Sequence, residues 1–213
     1  MSECGYSLMA GRESGPITSA SLLIRIKDPS DSDSWQIFES VYGPVVRSYC
    51  RRRGFQSSDI DDIAQEVMTA VSRAIEKFEY EPAKGSFRGW LATVTANKLK
   101  NFVSRSGFRD PKFSNTIERL ESYPDSDPDW SGAFLQEVLQ AACDRVRPTV
   151  EQATWQCFES TWLYDENATE VAQRLDIPVH SVYVNKSRVL KRVEQEFLML
   201  SEDLPMNGRH GKG

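Results

Sequence analysis

Apolar residues recur along this chain every three to four positions, and strict alternation is nearly absent. That period belongs to amphipathic helices rather than strands. The clearest stretch starts at Ser58, whose hydroxyl can cap a helix, and continues through Ile60, Ile63, Ala64, Val67, Val71, Ala74, Ile75 and Phe78. These positions make one apolar stripe over about five turns. Asp61, Asp62, Gln65, Glu66, Thr69, Ser72 and Arg73 fall on the opposite face. Pro82 and Gly85 break the pattern, and a further helix is predicted from about Phe87 to Arg105, apolar at Phe87, Trp90, Leu91, Val94, Leu99, Phe102 and Val103. Upstream, TSASLLIRIK opens a first helix, although LLIRI also suits a strand. Ser and Asp residues at 30–34 offer caps for a helix through Trp35, Phe38 and Tyr42. Pro44 then suits the first turn of a separate helix ending near Gly54.

Residues 107–129 hold three prolines and an acidic run, the composition of a linker. Helices are predicted beyond it at 130–147, 149–162 and 167–175, followed by a turn at 176–178 and a long helix from Val179 to about Met199. The expected fold is therefore all-α, with two helical domains, 17–106 and 130–200, joined by a flexible acidic linker. The tails, 1–16 and 201–213, are expected to be disordered. No internal repeat is visible.

Length and composition narrow the function. The 213 residues carry 26 basic and 31 acidic side chains, a net charge of −5, as in a soluble globular protein large enough to bury a core. No apolar run approaches the roughly 18 residues of a membrane helix. The N-terminus lacks the basic and apolar regions of a secretory signal, so a cytoplasmic location is expected, with no membrane partner. Cys4, Cys50, Cys143 and Cys157 are scattered, and the histidines are His180 and His210. No metal site is expected, because ligand pairs must converge on one ion. No Gly-rich phosphate loop and no nucleophile–base pairing is present, and Asp61/Asp62 sit on a solvated helix face. Neither an enzyme, nor a cofactor, nor a small-molecule substrate is expected.

The charge is segregated. Lys84, Arg88, Lys98, Lys100, Arg105, Arg109 and Lys112 face only Asp110, whereas 59–81 and the linker are acidic. A second basic cluster holds Arg174, Lys186, Arg188, Lys191 and Arg192. Such runs are often plain solvated faces, but two separated basic helices also suit two contacts with one polyanion. Around the second cluster, residues 168–193 read as a helix-turn-helix. Val171, Ala172 and Leu175 face inward, the turn is Asp176-Ile177-Pro178, and Val182, Val189 and Val193 anchor the second helix. His180, Ser181, Tyr183, Val184, Asn185, Ser187 and Arg188 could then enter a major groove, with Lys191 and Arg192 on phosphates. An ordinary cationic helical hairpin would carry the same pattern.

Asp62-x-x-Gln65-Glu66 on one helix, then a Gly/Pro loop, then Phe87-Arg88-x-Trp90-Leu91 and Asn97 on a basic helix, resembles the core of a bacterial RNA polymerase sigma factor. With a helix-turn-helix following directly, residues 20–197 resemble the small extracytoplasmic-function (ECF) class. The resemblance implies a promoter-specificity subunit. Asp62, Gln65, Glu66, Thr69 and Arg73 would bind the β′ clamp helices of the polymerase core. Lys84, Gly85, Ser86, Phe87, Arg88, Trp90, Asn97, Lys98, Lys100, Asn101 and Arg105 would read and melt the −10 element of promoter DNA. Unstacked bases favour aromatic and amide groups beside a basic track, although Trp90 suits a core position equally well. The C-terminal domain would bind the −35 element and dock on the β-flap. The linker acids Glu118, Glu121, Asp125, Asp127 and Asp129 would imitate nucleic acid, and an anti-sigma factor is a further partner of the family. Asn101 stands where many relatives carry Asp, Asp176 where Gly is usual, and Lys186 where an apolar residue is expected, its stem covering the core edge while the ammonium reaches outward. The alternative is a stand-alone helix-turn-helix regulator whose N-terminal domain dimerises.

Overall fold

The computed structural model describes residues 19–78, 87–106 and 127–201, and the described residues are helical throughout apart from short turns. Helix α1 spans Ser19–Arg25, α2 Ser32–Arg52, α3 Ser57–Ala74 and α4 Phe87–Ser106. After the acidic segment come α5 at Pro128–Val146, α6 at Gln152–Phe158, α7 at Ala168–Leu175 and α8 at Val179–Ser201. The ambiguous LLIRI run is helical. Lys84, Gly85 and Ser86, both tails, and the linker acids Glu118, Glu121 and Asp125 lie outside the described residues.

Pro44 does not divide two helices. It sits inside α2, because burial on both sides outweighs the lost backbone hydrogen bond. Phe38, Val41 and Tyr42 precede it, Val45, Val46 and Tyr49 follow, and all six are at most 2% exposed. Each buried side chain of this size is worth about 1.5–3 kcal/mol, against about 3 kcal/mol for an interior proline. Asp31 caps α2 by accepting from the Ser34 amide at 3.0 Å, and Arg25 donates to its other oxygen at 3.0 Å. Helix α3 begins at Ser57 rather than being capped by Ser58, and its predicted stripe is the buried face: Ile60, Ile63, Ala64, Val67 and Val71. Its last turn tightens into a 3₁₀ helix at Ile75–Lys77.

One core joins α1–α5 with the C-terminal half of α8, through Phe38, Tyr42, Phe87, Leu99, Trp130, Phe134, Val189 and Val193 among others. Helix α5 lies against α2 and α8. Cys157, Val171, Ala172 and Val182 form a satellite core under α6, α7 and the start of α8. Helix α6 widens into a π-helix at Glu159–Leu163, closed by the Tyr164 amide donating to the Glu159 carbonyl at 3.1 Å. The extra residue turns Ser160 and Thr161 inward, where Ser160 Oγ accepts from Arg174 at 2.7 Å.

The acidic segment ends differently from a free linker. Asp127 caps α5 by accepting from the Asp129 amide at 2.9 Å, and Pro128 occupies the first turn. Asp127 is also ion-paired with Arg53 and accepts from the Tyr49 hydroxyl at 3.0 Å. The Asp127 carboxylate is thus spent inside the protein rather than displayed as a nucleic-acid mimic, whereas that of Asp129 stays 46% exposed.

Candidate functional site

Helices α3 and α4 pack side by side and leave a groove of about 630 Å³, lined by Asp62, Gln65, Glu66, Thr69, Arg73, Lys98, Phe102 and Arg105. The spacing of 3–4 residues along α3 puts the five α3 side chains on one wall. On α4, Lys98, Phe102 and Arg105 share a face by the same rule. Arg105 Nη2 donates to Glu66 Oε1 at 2.5 Å, closing one end of the groove with an ion pair 61% and 35% exposed. Outside the groove, Asp61 pairs with Arg47 of α2 at 3.3 Å.

All five residues expected to bind polymerase therefore line one wall, and two of the residues expected at the −10 element, Lys98 and Arg105, form the other. Phe102, an apolar position by its spacing, falls between Lys98 and Arg105 on the same face of α4 and lines the groove with them. Asn97, Lys100 and Asn101 are exposed on α4 away from the groove lining. Phe87 is placed differently from the loop pocket expected of it. At 1% exposed it belongs to the core, ringed by Phe38, Tyr42, Phe78 and Trp90 with centroids 5.3–6.0 Å away. Trp90 is half-buried against Phe78 at 4.8 Å. Arg88 lies over the Phe134 ring of α5, 5.6 Å from its centroid.

The second candidate surface is the start of α8. Helix α7 is capped by Asn167, which accepts from the Thr169 amide at 2.8 Å, and ends on Asp176 in the left-handed region at φ 52°. That turn lets the Ile177 amide donate to the Ala172 carbonyl and aims α8 across α7. Val182 and Val189 point inward, leaving His180, Tyr183, Val184, Ser187, Arg188 and Lys191 exposed and Ser181 half-buried. Arg192 is exposed but donates to the Thr149 carbonyl at 3.1 Å. Lys186 turns back rather than outward, its Nζ reaching the Thr161 carbonyl at 3.4 Å, so the charge that looked misplaced closes the end of the π-helix. Among the described residues there is no cluster of three or more His, Cys, Asp or Glu able to hold a metal, and no helix long and apolar enough to cross a membrane.

Residues 40–109, which contain the whole groove, match the family described as Sigma-70 region 2. The curated relatives include an ECF RNA polymerase sigma factor, RpoE, of Cereibacter sphaeroides, 22% identical across 82% of this chain and 92% of its own length. Residues 40–109 are thus similar to sigma region 2, and the relatives are ECF sigma factors. SigE of Mycolicibacterium smegmatis is 26% identical over 70% of this chain and 57% of its own length. The sigma-E factor of Haemophilus influenzae is 29% identical over 50% of this chain and 54% of its own. This chain thus spans nearly all of the first relative and little more than half of the other two. Among solved structures, CnrH in complex with the cytosolic domain of CnrY covers 83% of this chain and 95% of its own, at 16% identity and a TM-score of 0.35, too low to inform the fold. The relatives are sigma factors, and the stand-alone regulator is not favoured.

Proposed function

We propose that this chain is an ECF sigma factor and docks on the β′ clamp helices of the RNA polymerase core through Asp62, Gln65, Glu66, Thr69 and Arg73. Helix α4 contacts the −10 element, with Arg88, Lys98, Lys100 and Arg105 on the backbone and Asn97, Asn101 and Trp90 beside unstacked bases. Phe87 supports that end of α4 from within the core, and Lys84, Gly85 and Ser86, just before it in sequence, contribute to reading the −10 element. Helices α7 and α8 act as a helix-turn-helix on the −35 element, reading bases with His180, Ser181, Tyr183, Val184, Ser187 and Arg188, and phosphates with Lys191 and Arg192. The same C-terminal domain docks on the β-flap, and the protein works in the cytoplasm. It lends specificity and strand opening to the polymerase and has no chemistry of its own.

The observation that carries this reading is the convergence of all five expected docking residues on one wall of the α3–α4 groove, within the segment that matches sigma region 2. The polar wall suits a partner helix, and the basic helix opposite suits a polyanion. Purified core and a genomic promoter library provide the test. Gln65→Ala with Glu66→Ala should lower core pull-down at least tenfold while circular dichroism stays helical, and unchanged pull-down would reject the docking face. Arg188→Ala should cost about 1–3 kcal/mol of preference at one −35 position, read from the selected promoters.

A further inference from the structure

The π-helix at Glu159–Leu163 is the point on which α7 and the start of α8 are fastened. From α7, Arg174 donates to Ser160 Oγ at 2.7 Å and pairs with Glu166 at 2.7 Å, while the Glu166 amide donates to the Ser160 carbonyl at 2.9 Å. From α8, Lys186 Nζ donates to the Thr161 carbonyl at 3.4 Å, and Asn185 Nδ2 donates to Cys157 Sγ at 3.7 Å. Asn185, which the spacing turned toward a groove, is thus half-buried and engaged within the protein. Ser160 and Thr161 are buried, so these polar contacts form where little water competes for them. The end of a helix also favours a cation, because its last carbonyls carry partial negative charge.

The apolar contacts under the same stretch are slight. Val189 and Val193 anchor the later turns of α8 in the main core, but its first turns rest on the satellite core of Cys157, Val171, Ala172 and Val182. Burial of such small side chains is not directional. The rotation of these turns is therefore set mainly by the hydrogen bonds of Asn185 and Lys186. Both stand in the middle of the reading face, between the exposed pairs Tyr183–Val184 and Ser187–Arg188. With side-chain tips about 6 Å from the helix axis, a rotation of about 20° moves them about 2 Å. That displacement breaks a hydrogen bond to a base edge.

We infer that Lys186 is a positioning residue for promoter recognition: through the Thr161 carbonyl it fixes the rotation of α8, so that its neighbours meet the −35 bases, and it makes no contact with DNA itself. Arg174 holds the other side of the π-turn and completes the clasp. The inference rests on the −35 reading above. It separates Lys186 from Lys191, which is exposed and has no hydrogen bond or ion pair among the described residues, and so is free for a phosphate.

Holoenzyme assembled from core polymerase and the full chain provides the test, with −35 preference read from the promoter library and salt dependence from promoter occupancy. Lys186→Met keeps the stem and loses the ammonium. It should lower discrimination about tenfold, spread over neighbouring −35 positions, while the slope of log affinity against log salt stays that of the wild type. Lys191→Met should do the reverse, keeping the preference and lowering the slope by about 1. Lys186→Arg, whose guanidinium can reach the same carbonyl, should restore the preference. Ser160→Ala removes the acceptor of Arg174 from a buried residue outside α8 and should relax the same positions, so the outcome does not hang on how well Lys186→Met folds. A Lys186→Met holoenzyme with a reduced salt slope or with wild-type preference would overturn the inference, as would Ser160→Ala with its preference intact. A wild-type holoenzyme that transcribes without any −35 preference would instead overturn the −35 reading, and this inference with it.

Discussion

Arg53 meets two carboxylates and the Tyr49 ring, 5.2 Å from its centroid, yet its buried Nε has no hydrogen bond of good geometry. A cation so placed depends on its anions, since removing one partner of a buried pair costs far more than removing both. Asp127→Asn keeps a capping side chain but drops the charge, and should destabilise by about 3 kcal/mol. Adding Arg53→Met should recover more than half of that, as urea denaturation of the four proteins of the cycle would measure. Burial also pushes the Cys50 thiol up to about 12 and Cys143 to about 11. The folded protein therefore holds both as thiols throughout the neutral range. Iodoacetamide at pH 8 should label them only at the rate of unfolding, followed by mass spectrometry, and rapid native labelling would contradict their placement. Burial raises the Tyr49 hydroxyl likewise, so it stays a donor to Asp127. At this scale the sequence was readable where chemistry is local: Asp176 takes the left-handed turn that Asp tolerates. It was unreadable at Lys186, whose partner carbonyl, Thr161, becomes available only because of a π-turn.

Among the elements, α2 and the α7–α8 turn each keep a residue that local preference disfavours. Asp176→Gly should remove left-handed strain and stabilise the protein by about 1 kcal/mol, whereas Asp176→Val should destabilise it, with thermal unfolding as the measure. The cap of α2 makes a pH prediction. The Ser34 amide first, then Arg25, hold Asp31 below its usual carboxylate range. A depressed folded value contributes stability that is complete above the unfolded pKa of about 3.9 and fades as pH falls through the folded one. The melting temperatures of wild type and Asp31→Asn should differ at pH 6 and converge toward pH 2. Periodicity located the helices well because the buried face of α3 is the predicted stripe. It split α2 at Pro44 because a proline's local cost is visible in sequence, while the partners burying Tyr42 and Tyr49 are remote: Phe87, Phe134, Trp130 and Asp127.

For the whole molecule, the same limit explains why the acidic segment read as a spacer between independent domains. A helical stripe says which face is buried but not against what, and Phe134 covering Arg88 is a contact over more than forty residues. Because α2, α5 and α8 share one core, urea unfolding followed by tryptophan fluorescence and by helical circular dichroism should give coincident transitions. The ion pair between Arg105 and Glu66 has a different reach, since it joins the residue proposed for polymerase to one proposed for DNA. A protein that claims Glu66 frees a guanidinium for a phosphate, and a phosphate that claims Arg105 uncovers a carboxylate for that protein. Thermodynamic linkage makes the benefit reciprocal, so each ligand prepares the chain for the other without any signal having to travel farther than the width of two neighbouring helices.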